Sequence, residues 1–391
     1  TGVLFGLVPA LQATRPALIP ALKGEAPAGG AGSRLNKGLV VAQMALSIVL
    51  LISAGLFLTN LKNATNLDKG FVSENMLLAS VDPGLQGYTR AGTEEFYRRL
   101  TATLEANPAV RSVAYIDQLP LGLGGSDGGV EIPGYTPVEN EGMSINYAKV
   151  SPGYFATMGI PLIRGREFTA RDDSSSVRAL VINQRFVDRF WPGVEDATGR
   201  TVRTGGRDYT VVGIVPTGKY RRLGEDPTAH MWYSQAQRWE SGMSVIIRTT
   251  GDPAALQPAL REAVGALDVN LPVSDIRTMD QYLGISLMPA RLTGAALGVF
   301  GILGLLLASV GMYGVMAYSV SQRTREIGIR MAIGAAAADV VRLIMRQGLT
   351  LVLVGTVIGM AGALGASRLL QGILYGDSTL DPMTFTLVPI V

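Results

Sequence analysis

The sequence has no cysteine and only one histidine, His230. Disulfide bonds and thiol nucleophiles are therefore excluded, and a metal site would have to be built from carboxylates alone. Charged residues make up 17% of the chain, below the roughly 25% of an average soluble domain. The net charge of +3 is too small to indicate a nucleic-acid partner. Together with a mean hydropathy of +0.28, these absences indicate a membrane protein.

Long uncharged runs predict the membrane-spanning helices. Residues 38–61, 292–322 and 347–367 contain no Asp, Glu, Lys, Arg or His and are rich in Leu, Ile, Val and Ala. As a helix, the first run would extend about 36 Å, which is enough to cross a hydrocarbon core of roughly 30 Å. We take 292–320 as the span within the second run. Shorter apolar runs at 1–14 and 383–391 are interpreted as truncated spans.

The basic residues of the short loops predict the orientation. Residues 15–37, interpreted as a cytoplasmic linker, and residues 323–346 contain more Arg and Lys than Asp and Glu. Residues 368–382 do not. The positive-inside rule therefore places the first two loops in the cytoplasm and the third outside. Residues 62–291 are then expected to form one large domain on the non-cytoplasmic side.

Hydrophobic periodicity predicts an α+β fold for residues 62–291. Two strand–helix–strand units are separated by an insertion, residues 118–242, which is rich in Gly, Pro and short β-type runs. This order indicates a split, ferredoxin-like porter subdomain that carries an inserted β-rich subdomain. The predicted fold class is a membrane all-α helical bundle plus this α+β extracytoplasmic domain. The predicted elements are strands 76–81, 110–116, 243–248 and 273–277, a helix over 93–106, and a helix through Leu256, Leu260 and Val264.

Three stretches of the sequence resemble a known family. Residues 150–155 read Val-Ser-Pro-Gly-Tyr-Phe, and residues 323–334 read Arg-Thr-Arg-Glu-Ile-Gly-Ile-Arg-Met-Ala-Ile-Gly. Arg15-Pro16, followed by Leu22-Lys23, is similar to the tail of a permease unit. The chain resembles the MacB/FtsX-like superfamily of ABC transporter permeases. Because the tail-like segment comes first, the chain as a whole resembles the second half of a duplicated, acidobacterial-type permease.

The resemblance implies two domains and a mechanical role. Residues 62–291 would be a MacB periplasmic core domain, and residues 292–391 an FtsX-like permease domain. The ATPase would be a separate chain that docks on a cytoplasmic coupling helix, residues 323–334. The residues assigned to this helix are Arg323, Arg325, Glu326, Ile327, Gly328, Arg330, Met331 and Gly334.

Physical reasoning on the same segment leaves two interpretations open. Ile327, Met331 and Ile333 would form an apolar stripe on a short basic helix, which could press on a partner protein. The alternative is an ordinary positive-inside flank that binds anionic lipid headgroups.

No other pattern indicates catalysis. Residues 213–219 nearly match a phosphate-binding loop, but Tyr220 occupies the place of the Ser or Thr that holds Mg²⁺. The glycine-rich run 121–129 is interpreted as a flexible loop. The carboxylate pairs Asp172-Asp173 and Glu139/Glu141 are interpreted as solvated surface. We expect no catalytic residue, no cofactor and no metal site.

Glycine spacing predicts where membrane helices approach one another. Gly294 and Gly298 form one GxxxG pair, and Gly355 and Gly359 form another. Small residues at this spacing allow close contact between helices in lipid. We interpret both pairs as positions where helices pack together. The helices that pack there could belong to two permease units at a dimer interface.

These observations lead to one main hypothesis and one alternative. The main hypothesis is a permease subunit of a MacB-type transporter, multi-pass in the bacterial inner membrane. It would transmit ATP-driven motion to a periplasmic domain that handles export cargo. Its partners would be an ABC ATPase, the lipid bilayer, a periplasmic adaptor or outer-membrane factor, and a second permease unit in a dimer or pseudo-dimer. The alternative is a signalling module that controls a periplasmic partner such as a cell-wall hydrolase, without transport.

Overall fold

The chain forms two compact units in the computed structural model. One unit comprises Thr1–Lys62 and Ala290–Val391, and its described residues are mainly helical. The other unit, Asn63–Pro289, contains both helices and strands. We call them the helical unit and the mixed unit. The structure describes residues 31–66, 68–122, 124–370 and 385–386.

The described elements follow one another in an α–β–α order that agrees with the sequence prediction. Two observed strands, residues 76–81 and 110–116, have the bounds that the sequence predicts. The other predicted elements are also present, but their ends differ from the predicted ones. In chain order the elements are α1 (Ala31–Asn66), β1 (Met76–Val81), α2 (Arg90–Glu105), β2 (Val110–Ile116), β3 (Ser126–Glu131), β4 (Ser144–Val150), α3 (Tyr154–Met158), β5 (Arg164–Gly165), β6 (Ala179–Asn183), α4 (Gln184–Phe190), β7 (Thr201–Thr204), β8 (Arg207–Val215), β9 (His230–Ser234), β10 (Met243–Thr249), α5 (Gln257–Leu267), β11 (Val273–Thr278), α6 (Met279–Ser286), α7 (Met288–Gln322), α8 (Thr324–Ala332) and α9 (Ala337–Leu370).

Four strands form the first part of the mixed unit, which we call the four-stranded subdomain. Their order is β11-β1-β10-β2, and each neighbouring pair is antiparallel. Strands β1 and β2 are therefore parallel to each other with β10 between them, and β10 and β11 are parallel with β1 between them. The crossover helices α2 and α5 pack on one face, where Leu77, Leu100 and Leu260 are fully buried.

The other face of this sheet is also covered. Helix α3 contacts β2 and β10, and α6 contacts β1. Met76 and Leu78 are therefore buried as completely as Leu77. Burial on both faces explains why β1 is a nearly continuous apolar run, whereas a half-buried strand would alternate.

The insertion forms a closed ring of six strands, which we call the ring subdomain. Pairing runs β4-β3-β7-β8-β6-β9, and β9 returns to pair with β4 in parallel. Closure leaves neither end of this sheet unpaired. The prediction of a flexible loop over 121–129 is wrong in its second half, because Ser126 to Gly129 pair with β4 as part of β3.

Among the described residues of the helical unit, three helices are long and apolar enough to cross a membrane. These segments are Leu35–Thr59 in α1, Arg291–Gln322 in α7 and Ala337–Arg368 in α9. Helix α1 starts at Ala31, so the prediction of a linker over 15–37 is wrong for its last residues, which are helical. The predicted span at 1–14 lies outside the described residues, as does 383–391 apart from Phe385 and Thr386.

A capping box starts the helix that precedes α7. Thr278 Oγ1 accepts a hydrogen bond from the Gln281 backbone N–H at 3.2 Å, and Gln281 Oε1 accepts one from the Thr278 N–H at 3.0 Å. These reciprocal bonds satisfy two N–H groups that have no partner within the helix. Strand β11 is thus followed at once by α6, and α6 by α7.

Candidate functional site

Helix α8 corresponds to the predicted coupling helix. It runs from Thr324 to Ala332 and has no buried residue. It ends where Gly334 adopts φ +99, a conformation that favours glycine. The Gly334 N–H donates to Met331 O at 3.1 Å, and the Ala335 N–H donates to Arg330 O at 3.0 Å. The two hydrogen bonds form a Schellman motif, in which Gly334 provides the left-handed backbone conformation that ends the helix.

One side of α8 faces α9 across a cavity of about 170 Å³. Arg323, Glu326, Ile327 and Arg330 line it from the side of α8. Glu326 and Arg330 form an ion pair of 2.6 Å that is about half-exposed. Pairs of this kind stabilise a helix by only about 0.3–0.5 kcal/mol. The pair therefore adds little to the stability of α8, and both of its side chains lie beside the cavity.

The opposite side of α8 carries Arg325, Gly328, Ile329 and Ala332, which are exposed and do not line the cavity. Ile329 is 54% exposed, and a Cβ added at Gly328 would meet nothing within 4 Å. We call these four residues the outward face of α8.

In the predicted apolar stripe, Ile327 lies toward the cavity, and Met331, four residues later on the same side of the helix, is 51% exposed. The stripe does not continue to Ile333, which lies beyond the last residue of α8 and is 81% exposed. The prediction did not include Ile329. Its spacing of four residues from Arg325 places both side chains on one face of α8. The spacing alone does not show which face of α8 is covered.

Both predicted glycine pairs face α1 of the same chain. A Cβ at Gly294 would lie 3.1 Å from Phe57 Cβ, and one at Gly298 would lie 3.7 Å from Ala54 Cβ. Helix α9 approaches through its own pair. A Cβ at Gly355 would lie 2.9 Å from a side-chain carbon of Met44 on α1, and a Cβ at Gly359 would lie 2.9 Å from the Ala45 carbonyl oxygen, also on α1.

Two carboxylates that we interpreted as solvated surface are partners in ion pairs. Asp172 is 4% exposed and accepts two hydrogen bonds from the Arg166 guanidinium, at 2.7 and 2.8 Å. Burial raises the pKa of Asp172, but the bonds from Arg166 and from Thr169 outweigh it and hold the pKa below its usual range. Glu141 pairs with Arg189 at 2.9 Å. The solvated interpretation is wrong for both Asp172 and Glu141.

His230 is buried in the mixed unit at 6% exposure. Its ring stacks on that of Tyr220, with the ring centroids 4.0 Å apart. Burial lowers the pKa of His230 to about 3, so the imidazole is neutral at pH 7. In the part of the chain that the structure describes, no three His, Cys, Asp or Glu side chains are close enough to hold a metal ion together.

Comparison with family models shows which family the chain belongs to. The family model of the MacB-like periplasmic core domain matches residues 38–263, which is more than half of the chain. The chain belongs to the MacB/FtsX-like family of ABC transporter permeases. The model of the FtsX-like permease C-terminal domain matches residues 298–391, which include α8.

Several full-length relatives are similar to this permease over part of their length. The macrolide export ATP-binding/permease protein MacB of Chromobacterium violaceum is 30% identical over 268 residues, which cover 64% of this chain and 41% of that protein. MacB of Hahella chejuensis is 26% identical over 64% of this chain and 39% of that protein. MacB 1 of Yersinia pestis bv. Antiqua is 27% identical over 54% and 34%. The chain thus spans less than half the length of these relatives.

Two solved structures are also similar to this chain. The periplasmic region of MacB from Actinobacillus actinomycetemcomitans covers 55% of this chain and 92% of its own, at 17% identity and a TM-score of 0.38. The extracellular domain of the noncanonic ABC-type transporter YknZ from Gram-positive bacteria covers 51% and 100%, at 16% identity and a TM-score of 0.35.

Substitution of Gly359 by alanine is expected to destabilise the permease. The added Cβ would lie 2.9 Å from both the Ala45 carbonyl oxygen and Ile48 Cβ, so α1 and α9 would have to separate. Gly365→Ala is the matched control, because a Cβ there meets nothing within 4 Å and alanine favours a helix by up to about 1 kcal/mol. Thermal unfolding in detergent should show a lower midpoint for Gly359→Ala and an unchanged or higher one for Gly365→Ala. Equal midpoints would contradict the assignment of Gly359 to a close helix contact.

Acid should destabilise the wild type more than a His230→Phe variant. The pKa of His230 is about 3 in the folded state and about 6.5 in an unfolded chain. Between pH 6.5 and pH 3 the imidazole is protonated in the unfolded state and neutral in the folded state. The free energy of unfolding therefore decreases as the pH is lowered through this range. The loss is about 1.4 kcal/mol per pH unit, or about 2 kcal/mol between pH 6.5 and 5. Unfolding midpoints of both proteins across this range would test this, and parallel pH profiles would contradict it.

Proposed function

We propose that this chain is the permease subunit of a MacB-type ABC transporter whose ATPase is a separate chain. The ATPase would bind the outward face of α8, and its ATP-driven motion would pass through the membrane helices to the mixed unit. The mixed unit would handle export cargo on the periplasmic side of the inner membrane. The observation that carries the proposal is the outward face of α8, whose four residues are exposed in the described part of the chain and lie within the FtsX-like region.

The composition of this face favours a protein partner over lipid. A surface that binds anionic headgroups gains about 1 kcal/mol from each Lys or Arg near the membrane, so it should present several of them. Here Arg323 and Arg330 line the cavity, and Arg325 is the one basic residue on the outward face. The remaining members, Gly328, Ile329 and Ala332, are small or apolar, which suits a groove in a protein.

The connections between the two units support the proposed transmission of motion. Helix α1 leads into β1, and β11 leads through α6 into α7. Strands β1 and β11 are hydrogen-bonded neighbours, with Leu77 opposite Thr278 and Val81 opposite Val273. A displacement of α1 relative to α7 would therefore act on two adjacent strands. The strand order β11-β1-β10-β2 supports the interpretation of this part as a split, ferredoxin-like porter subdomain.

The composition of the spans supports cargo handling outside the bilayer. Residues 38–61, 292–322 and 347–367 contain no Asp, Glu, Lys, Arg or His, and such side chains mark ion and proton pathways in membrane proteins. Motion supplied by a partner ATPase would replace an ion gradient as the source of energy. A periplasmic adaptor or outer-membrane factor, and a second permease unit in a dimer or pseudo-dimer, complete the proposed assembly.

Gly328→Leu should uncouple the permease from its ATPase. A leucine side chain would protrude from the outward face without touching the permease itself, because nothing lies within 4 Å of an added Cβ. We expect at least a tenfold weaker association, or about 1.4 kcal/mol, and a similar loss of permease-stimulated ATP turnover. Co-purification and ATPase assays on reconstituted complexes would measure both.

A matched control for this experiment is Gly265→Leu on α5 of the mixed unit. Gly265 is also an exposed helical glycine with open space around its Cβ position, so it reproduces the helix-propensity effect without the docking face. Unchanged association and turnover in Gly328→Leu would overturn the proposed docking. Equal losses in both variants would show that the effect is not specific to α8.

The mixed unit should change shape during ATP turnover. The chain has no cysteine, so cysteines introduced at two exposed positions can be spin-labelled without background in the permease. Leu85 in the four-stranded subdomain is 69% exposed, and Val177 in the ring subdomain is 77% exposed. We expect pulsed electron spin resonance to give different Leu85→Cys to Val177→Cys distances, or different distances between subunits, with and without ATP. Distributions that stay the same for labels within and between subunits would contradict transmission of motion.

A further inference from the structure

The cavity between α8 and α9 lies at the boundary between apolar spans and a charged loop. Its walls extend from Ser319, near the end of the uncharged run 292–322, to Gln347, where the run 347–367 begins. Tyr318 lies at the same level of α7 and is 54% exposed, and tyrosine is enriched where membrane helices leave the hydrocarbon. With α7 and α9 across a membrane, the cavity is at the level of the lipid headgroups.

The size and the walls of the cavity suit a molecule that is charged at one end and apolar at the other. A volume of about 170 Å³ has room for roughly 11–17 water-sized groups, since each needs about 10–15 Å³. On α7 the apolar Val320 precedes Arg323, and on α9 Leu343 and Ile344 follow Asp339. On both helices the charged side chain is therefore nearer α8, and the apolar ones are nearer the span. A phospholipid headgroup with its glycerol has this size and this order.

Two of the four charged side chains that line the cavity have no partner among the described residues. Glu326 and Arg330 form an ion pair of 2.6 Å with each other. The side chains of Arg323 and Asp339 form neither a hydrogen bond nor an ion pair with any residue that the structure describes. They line the same cavity without pairing, so one ligand can contact both.

The charges around the cavity select a zwitterion over an ion of one sign. Two arginines and two acids line it, so their net charge is zero. A purely anionic ligand would pair with Arg323 and leave Asp339 unpaired, and a purely cationic ligand would do the reverse. The nearby Arg325, Arg342 and Arg346 do not line the cavity, but they make the region basic and favour a zwitterion that contains phosphate.

We propose that this cavity binds the headgroup of a phospholipid with a primary ammonium group, such as phosphatidylethanolamine. The phosphate accepts hydrogen bonds from the Arg323 guanidinium, whose parallel donors match phosphate oxygens. The ammonium donates to the Asp339 carboxylate, and a primary ammonium has three N–H groups for this purpose. The glycerol and the first acyl carbons lie against Val320, Leu343 and Ile344.

The bound lipid links two helices. Helix α8 has no buried residue, so it has few contacts of its own with the rest of the helical unit. Arg323 directly precedes α8, and Asp339 lies in the first turn of α9. A headgroup that binds both side chains therefore holds α8 beside α9 and leaves the outward face free. The inference rests on the membrane position that is part of the proposed function, but not on ATPase docking.

Binding can be tested on the full chain in detergent without any ATPase. The probes are phosphatidylethanolamine, phosphatidylcholine and phosphatidylglycerol with identical acyl chains, and native mass spectrometry counts the bound lipids. Phosphatidylcholine keeps the phosphate and the positive charge but has no ammonium N–H, and phosphatidylglycerol has no positive charge. We expect one phosphatidylethanolamine to bind about fivefold more tightly than either of the others, as an ion pair at a surface allows.

Two variants separate the two contacts. Arg323→Gln should weaken the binding of all three lipids, because all of them contain the phosphate. Asp339→Asn should abolish the preference for phosphatidylethanolamine over phosphatidylcholine. The controls are Arg325→Gln, on the outward face, and Asp280→Asn, in the first turn of α6, which repeat the same charge changes away from the cavity. Both controls should keep the lipid preference of the wild type.

A charge-conserving variant distinguishes a lost contact from misfolding. Asp339→Glu keeps the carboxylate and should retain the preference for phosphatidylethanolamine. Equal binding of the three lipids to the wild type, tighter binding of phosphatidylglycerol, or an unchanged preference in Asp339→Asn would overturn the proposal. Loss of the preference in Asp339→Glu or in Asp280→Asn as well would also overturn it. Co-purification with the ATPase is a separate measurement, so docking and lipid binding can each fail alone.

Discussion

The close approach of α7 and α9 to α1 is the contact on which the helical unit depends. In hydrocarbon the hydrophobic effect does not drive helices together, so van der Waals contact between closely spaced backbones must do so. Gly294, Gly298, Gly355 and Gly359 provide that contact, and all four face α1. Helix α1 is thus the common partner of the two other helices, and it also leads directly into β1.

The sequence contains enough local information to predict most elements but not their assembly. The runs that became β1 and β2 were predicted with their observed bounds, because each is a short apolar segment with polar or turn residues beside it. Closure of the ring subdomain could not be predicted, since it depends on β4 pairing with β9 far along the chain. Asp172 was misjudged for a similar reason. Its neighbours are polar, and burial comes from the folded loop around Arg166 and Ser234.

The same distinction applies to α8. The resemblance and the basic composition located the helix, and Gly334 marked its end. Which side is free depends on how α8 packs beside α9, and spacing within α8 does not contain that information. Ile327 lies toward the cavity, and Ile329, only two residues later, lies on the outward face. The glycine pairs were likewise predicted as packing positions, whereas their partner α1 became evident only in the fold.

The adjacency of β1 and β11 makes the mixed unit respond differently to different directions of force. The start of β1 lies opposite the end of β11, so both strands are attached to membrane helices at the same end. A force that separates α1 from α7 would break the β1–β11 hydrogen bonds one after another, beginning at the end nearest the helices. A pull on α1 and α7 in the same direction would instead load the β1–β10 pair in shear. The hydrogen bonds between antiparallel strands are perpendicular to the strands, so many of them would resist this pull at once. Under the proposed function, the mixed unit would follow a common pull as one body and would yield when α1 and α7 move apart.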